Sequence, residues 1–109
     1  MKVNDIAYRT IDGTEDFQEV VGIEFGGGYE WDSLEAWYSP SKRRFFWVEG
    51  SGCSCNSLGD DLYRIDDLES GNREELTNAV RSKYANGYNV STDELLSDLA
   101  MVKTFRAAK

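Results

Sequence analysis

Histidine is absent from this 109-residue sequence, proline occurs once, and cysteine occurs twice. Without histidine, the chain lacks the commonest general base and the commonest metal ligand of proteins. The sequence has no apolar run of the roughly 20 residues that a membrane-spanning helix needs, and its first residues lack the apolar segment of a signal peptide. We therefore expect a cytoplasmic protein that uses no membrane, metal or other cofactor.

Acidic residues outnumber basic residues by 20 to 12, and the excess is concentrated at one end of the chain. Residues 1–40 hold nine acids and two bases, whereas the rest of the chain holds eleven acids and ten bases. This charge repels phosphate backbones, which argues against direct binding of nucleic acid. It favours a protein partner with a basic surface, including one that normally binds nucleic acid. The alternative is that the acidity only keeps the protein soluble.

Length and composition predict a single domain over residues 1–109. A chain of this size buries roughly 65% of the surface that its unfolded form exposes, which is enough for one core. The hydrophobic content of 40% and the aromatic content of 13% argue against disorder.

Strand patterns occupy the first half of the sequence. Residues 18–25 alternate, with Val21, Ile23 and Phe25 on one face and Val20 on the other, and the glycines at 26–28 end this strand in a turn. Residues 3–11 are polar with scattered apolar positions, which predicts an edge strand or a loosely packed arm.

A hairpin is predicted over residues 33–38 and 43–49, joined by a type I turn with Pro40 at its second position. Symmetric closure places Trp37 opposite Arg44 and Ala36 opposite Phe45. Both faces of this hairpin are then partly apolar. We expect that it is covered on both sides, or that one side is a binding surface.

A long stretch of small residues follows at 49–61 and contains both cysteines, Cys53 and Cys55. Loops of this length are often functional, although the Cys-Ser-Cys segment could instead continue the strand. Four roles for the thiols compete: half of a zinc site completed by a second copy, a disulfide, a redox pair, or a nucleophile. We favour a simpler interpretation, in which both are small buried residues.

Two helices are predicted at the C-terminal end. Asn72 with Glu75, and Ser91 with Glu94, have the spacing of capping boxes. The second helix carries an apolar stripe, formed by Leu95, Leu96, Leu99, Val102 and Phe105. The predicted fold is α+β, with a small antiparallel sheet of three to four strands packed against two C-terminal helices.

Candidate binding residues cluster in the acidic first part of the chain. Aromatic side chains surrounded by acids are typical of a protein-binding patch. The predicted partner-binding residues are Tyr29, Glu30, Trp31, Asp32, Glu35 and Trp37. The acid pairs at 60–61 and 66–67 are an alternative site for a divalent cation, but they lack EF-hand spacing. No catalytic residues are predicted.

The aromatic run at 31–47 and the Ser-Gly-Cys-Ser-Cys-Asn segment at 51–56 resemble small uncharacterised proteins encoded by phages of actinobacteria. The resemblance covers about residues 29–66 and carries over no catalytic or binding residue. It implies a setting, because small acidic phage proteins often bind and redirect a host protein.

These observations predict a non-enzymatic interaction module that binds a basic host protein and inhibits or redirects it. Two alternatives stay open. One is a metal- or redox-dependent protein that uses the Cys-Ser-Cys loop, and the other is a minor structural component of the phage particle.

Overall fold

A computed structural model describes residues 1–26, 29–87 and 90–108, and these residues form an antiparallel sheet with helices on it. The elements in chain order are α1 (Val3–Ala7), β1 (Gln18–Phe25), β2 (Glu30–Ser39), β3 (Arg44–Cys53), a 3-10 turn (Ile65–Asp67), β4 (Glu69–Gly71), α2 (Arg73–Ala85) and α3 (Thr92–Thr104). The strands lie in the order β1-β2-β3-β4. The predicted α+β fold, with a four-stranded sheet and two C-terminal helices, is confirmed.

Strand β1 has the predicted bounds but contains a β-bulge. Glu19 lies opposite Trp37 and Val21 lies opposite Ala36, so Val20 is an extra residue on this strand. Because of the bulge, Val20 and Val21 are both buried in the same hydrophobic cluster. The predicted placement of Val20 on the opposite face is therefore wrong. The glycine turn predicted after β1 includes residues 27 and 28, which lie outside the described residues.

The β2–β3 hairpin forms, but its register differs by two residues from the predicted one. Four residues, 40–43, connect the strands, and Arg43 closes the loop with a left-handed φ of 55° and a 2.8 Å bond from its N–H to the Ser39 carbonyl. Trp37 consequently lies opposite Phe46, and Arg44 lies opposite Ser39. The predicted Trp37–Arg44 pair is wrong. A shift of two residues leaves every side chain on its predicted face, because side chains alternate along a strand.

Hydrophobic side chains fill both sides of this hairpin. On the side of α2 and α3, which we call the helix side, Leu34, Ala36, Phe45 and Trp47 pack with residues of β1 and of both helices. On the opposite side, which we call the α1 side, Trp37 and Phe46 pack beneath a second cluster. That cluster comprises Val3, Ile6, Ala7, Ile11, Leu62 and Leu68. The expectation that both faces are covered is confirmed.

The N-terminal segment covers the α1 side as a short helix, so the predicted edge strand or loose arm is wrong. Val3, Ile6 and Ala7 are buried on one face of α1. The Trp37 indole N–H donates to the Met1 carbonyl at 2.9 Å, which fixes the segment against the sheet. Five residues are too few to show a helical period in the sequence.

The segment between β3 and β4 closes over the same side. Gly59 packs so closely on α1 that a Cβ added there would lie 2.2 Å from the Ile6 carbonyl oxygen. The Arg9 guanidinium donates to the carbonyls of Gly59 and Leu62. This segment begins after Cys53 rather than at Glu49, because β3 is longer than predicted.

Both predicted helix starts are confirmed, although one stripe residue is misplaced. The Asn72 and Ser91 side chains accept hydrogen bonds from the N–H groups of Glu75 and Glu94. Val102 is fully buried in the helix-side core, whereas Leu96 is 60% exposed. Leu96 therefore lies outside the apolar stripe in which it was predicted. None of the described helices is long and apolar enough to span a membrane.

The capping bond of α2 allows a direct test. The Asn72 Oδ1 accepts from the Glu75 N–H at 2.8 Å, and the Glu75 carboxylate accepts from the Asn72 N–H at 3.0 Å. Asn72→Ala removes the first bond, and we expect the free energy of unfolding to fall by about 1 kcal/mol in urea titrations. Asn78, exposed within the same helix, is the matched control. Asn78→Ala should leave stability unchanged or slightly raised, and equal losses in both variants would contradict the capping argument.

Candidate functional site

The predicted partner-binding residues are divided between the two faces of the sheet. Tyr29 directly precedes β2, and the other five lie within β2, where successive side chains point in opposite directions. Asp32 faces α2 on the helix side, whereas Trp31, Glu35 and Trp37 face the α1 side. The six residues therefore do not form one continuous patch.

Trp37 is not available to a partner. It is 1% exposed and lies in the core of the α1 side, where its ring stacks near Phe17 at a centroid distance of 6.0 Å. Its predicted role as a surface contact is wrong, because the N-terminal segment that covers it was not expected to fold there. Tyr29, in contrast, is 81% exposed, and Glu30 is also exposed.

Trp31 and Glu35 line a cavity of about 320 Å³ on the α1 side, which we call the acid–aromatic pocket. Glu24 and Ser33 are neighbours across β1 and β2 and form its floor with Glu35. The remaining walls come from α1 and from the segment after β3. They include Asp5, Tyr8, Asn56 and Leu58. The pocket thus combines three carboxylates with two aromatic rings.

Glu35 is a partly buried carboxylate of the acid–aromatic pocket. Its side chain is 21% exposed, and the nearest cation is the Met1 ammonium group, whose nitrogen lies 3.8 Å from Oε2. Burial raises the pKa of Glu35; the Met1 ammonium opposes this rise, and the neighbouring Glu24 adds to it. The pocket therefore holds a largely buried negative charge that a further cation would stabilise.

The Trp31 ring is held in place at the rim of the pocket. Its indole N–H donates to the Cys53 carbonyl at 2.9 Å and to the Asn56 carbonyl at 3.1 Å. An aromatic ring fixed beside carboxylates is suited to an ammonium or guanidinium group, which can lie over the ring while pairing with the acids. Tyr8 and Glu24 were not predicted as site residues. Tyr8 reaches the pocket at the end of the unforeseen helix α1, and Glu24 reaches it through the pairing of β1 with β2.

A second cleft, of about 650 Å³, lies between β3 and α2 and contains an ion-pair cluster. Lys83 is 7% exposed and pairs with the carboxylates of Asp32 and Glu49, at 2.9 Å for the latter. It also donates to the Gly50 carbonyl at 3.1 Å. Burial acts to lower the pKa of Lys83, but the hydrogen bonds to both acids outweigh it and raise the pKa. Lys83 is thus a charged cross-link that already engages Asp32.

Cys53 and Cys55 lie at the end of β3 and are both exposed. Their sulfur atoms are in contact as a disulfide. The favoured prediction, that they are small buried residues, is therefore wrong, and only Cys53 belongs to the strand. Within residues 1–26, 29–87 and 90–108, no group of three or more acids or cysteines is arranged to hold a metal ion.

The Lys83 cluster yields a stability prediction. Lys83→Met leaves two carboxylates without their cation, and we expect a loss of about 2 kcal/mol, because Glu49 is half exposed and a fully buried pair would cost more. Arg81→Met, at an exposed position of the same helix, should change stability by less than about 0.5 kcal/mol. Urea titrations of both variants compare these losses.

The same variant has a predictable pH dependence. The folded state raises the pKa of Lys83, so its contribution is fully present below the ordinary lysine pKa of about 10.4 and is lost as the pH rises through the higher folded value. The difference in free energy of unfolding between wild type and Lys83→Met should therefore be constant from pH 7 to pH 9 and shrink at higher pH. A difference that shrinks below pH 9 would contradict the ion-pair assignment.

Glu35 yields a prediction of opposite sign. Because its pKa is raised in the folded state, ionised Glu35 destabilises the protein at neutral pH. Glu35→Gln should increase the free energy of unfolding at pH 7 by less than about 1 kcal/mol, and the gain should vanish below about pH 4, where the wild-type carboxyl is protonated. Glu30→Gln, at an exposed position of the same strand, should show no gain. A loss of stability in Glu35→Gln at pH 7 would refute the argument.

Comparison with known proteins places the chain in a family. No curated protein and no solved structure matches it. Residues 7–108 match the sequence profile of the family described as Domain of unknown function (DUF7574). The match includes β1 to α3 and all of the predicted partner-binding residues. The chain therefore belongs to the DUF7574 family.

Proposed function

We propose that this protein is a non-enzymatic, acidic interaction module that binds a host protein with a basic surface. The observation that carries the proposal is the acid–aromatic pocket, in which the largely buried Glu35 carboxylate lies beside Trp31 and Glu24. A lysine or arginine side chain of the partner would add a second cation to the Met1 ammonium group, which lies 3.8 Å from the Glu35 carboxylate.

Charge and exposure support the same conclusion. The chain carries a net charge of −8, which speeds encounter with a basic protein and suppresses encounter with phosphate backbones. Tyr29 and Glu30, both exposed, directly precede Trp31 in the sequence. They lie outside the pocket and add an aromatic ring and an acid to the surface at this end of β2; tyrosine and tryptophan are enriched at protein interfaces.

The mechanism we propose is occlusion or charge mimicry. An acidic surface that occupies the basic surface of a host protein, such as one that binds nucleic acid, prevents that protein from engaging its own ligand. We further propose that the protein is encoded by a phage, the setting implied by the resemblance of residues 29–66.

A pull-down from host lysate tests the interaction. Tagged wild-type protein should enrich a basic host protein at low salt, with at least about a 10-fold loss at moderate salt. Mass spectrometry identifies the captured protein, whose affinity is then measured by titration. A blank, or binding that does not respond to salt, would contradict the proposal.

A charge-matched pair of double variants locates the surface. Glu24→Gln/Glu35→Gln removes two charges from the acid–aromatic pocket, and Glu74→Gln/Asp93→Asn removes two exposed charges from the first turns of α2 and α3. We expect at least about a 10-fold loss of affinity for the first and a few-fold loss for the second, because only the first removes contacts. Equal losses of affinity would show that net charge alone determines binding. They would refute the proposal that the acid–aromatic pocket is the binding site.

A further inference from the structure

The turn at the end of β3 places the two cysteines of the chain next to each other at an exposed site. Cys53 and Cys55 are both exposed, and neither belongs to a hydrophobic cluster. Their Cα atoms are 5.4 Å apart, which is within the usual range for a disulfide. The proposed binding function uses neither sulfur.

Bonds that do not involve sulfur hold this turn. The Asn56 side chain accepts from the Cys53 N–H at 3.1 Å, and the Asn56 N–H donates to the Cys53 carbonyl at 3.3 Å. The Trp31 indole binds the carbonyls of both residues. The turn therefore keeps the two cysteines close whether or not their sulfurs are bonded.

Gly52 is required for this arrangement. A Cβ at position 52 would lie 2.3 Å from the Asn56 Oδ1, which is too close for any real contact. A side chain at this position must therefore displace the Asn56 amide from the turn. The sequence Gly-Cys-Ser-Cys-Asn thus contains both thiols together with the two flanking residues that position them.

We propose that Cys53 and Cys55 form a dithiol site that exchanges with low-molecular-weight disulfides. The thiolate of one cysteine attacks a sulfur of the small disulfide, which breaks that S–S bond and releases one small thiol. The second cysteine then attacks the mixed disulfide, forms the Cys53–Cys55 bond and releases the second small thiol. The protein loses two electrons and two protons, and the small disulfide gains them.

Access and proximity, rather than an activating base, drive this exchange. The chain contains no histidine, and Glu30 lies opposite Cys53 in the hairpin register. The structure supplies exposed sulfurs and a turn that makes the second step intramolecular. The mixed disulfide should consequently be short-lived.

Reaction of the reduced protein with glutathione disulfide tests the site. Intact-mass spectrometry after acid quenching should show wild-type protein that has lost two hydrogen atoms, with little glutathione adduct, and thiol alkylation should label neither cysteine. Cys53→Ser and Cys55→Ser should each accumulate the glutathione adduct, because the second step is impossible. Wild-type protein that stays reduced or accumulates the adduct would overturn the proposal.

Asn56→Ala separates the role of the turn from the chemistry of the thiols. It keeps both cysteines but removes the side chain that accepts the Cys53 N–H and so holds the turn. At a fixed ratio of glutathione disulfide to glutathione, we expect about a 10-fold lower ratio of intramolecular disulfide to dithiol than in wild type. Ser57→Ala, at the next residue, should retain the wild-type ratio. Equal ratios in Asn56→Ala and wild type would overturn the claim that the turn prepares the site. Binding of a basic partner is measured with Cys53→Ser and Cys55→Ser, which change neither the Asn56 side chain nor any other residue that lines the acid–aromatic pocket; unchanged affinity in both keeps the two proposals separate.

Discussion

The β2–β3 hairpin is apolar on both faces, and this constraint determines how the rest of the chain folds. Leu34, Ala36 and Trp47 face one side, while Trp37 and Phe46 face the other. A sheet of this kind is stable in water only if both faces are covered. The C-terminal helices cover one face. The N-terminal segment and the residues between β3 and β4 cover the other, and the acid–aromatic pocket lies where this second cover is incomplete.

Local signals in the sequence were sufficient for much of this fold. Alternation located β1 to the residue, and the capping patterns at Asn72 and Ser91 located both C-terminal helices. The hairpin register was not predictable, because it depends on Arg43 adopting a left-handed conformation in a four-residue loop. Helix α1 and strand β4 are too short to have a period. Helix α1 forms only because the sheet offers it a surface, and strand β4 forms only because the sheet offers it an edge.

The candidate site was also partly predictable from local signals in the sequence. Trp31 and Glu35 could be selected as an aromatic residue and an acid close together in the sequence, and the structure places both in one pocket. Asp32 and Trp37 have equally suitable chemistry, yet one is paired with Lys83 and the other is buried. Strand alternation separates neighbours, and whether each face is exposed depends on segments remote in sequence. Tyr8 and Glu24 line the pocket because segments remote in sequence bring them next to β2.

The order of the strands has a consequence for how the protein folds. Each strand pairs with the next strand along the chain, so the sheet can assemble from short-range contacts, which are the fastest to form. The covering segments depend on distant contacts instead: Met1 binds Trp37, and the Gln18 side chain exchanges hydrogen bonds of 3.1 and 2.7 Å with Ala108. The termini are therefore expected to dock last and to detach first. A partner bound in the acid–aromatic pocket would contact both α1, which docks late, and the sheet, which forms early. It would therefore slow the detachment of α1, which is the first step of unfolding.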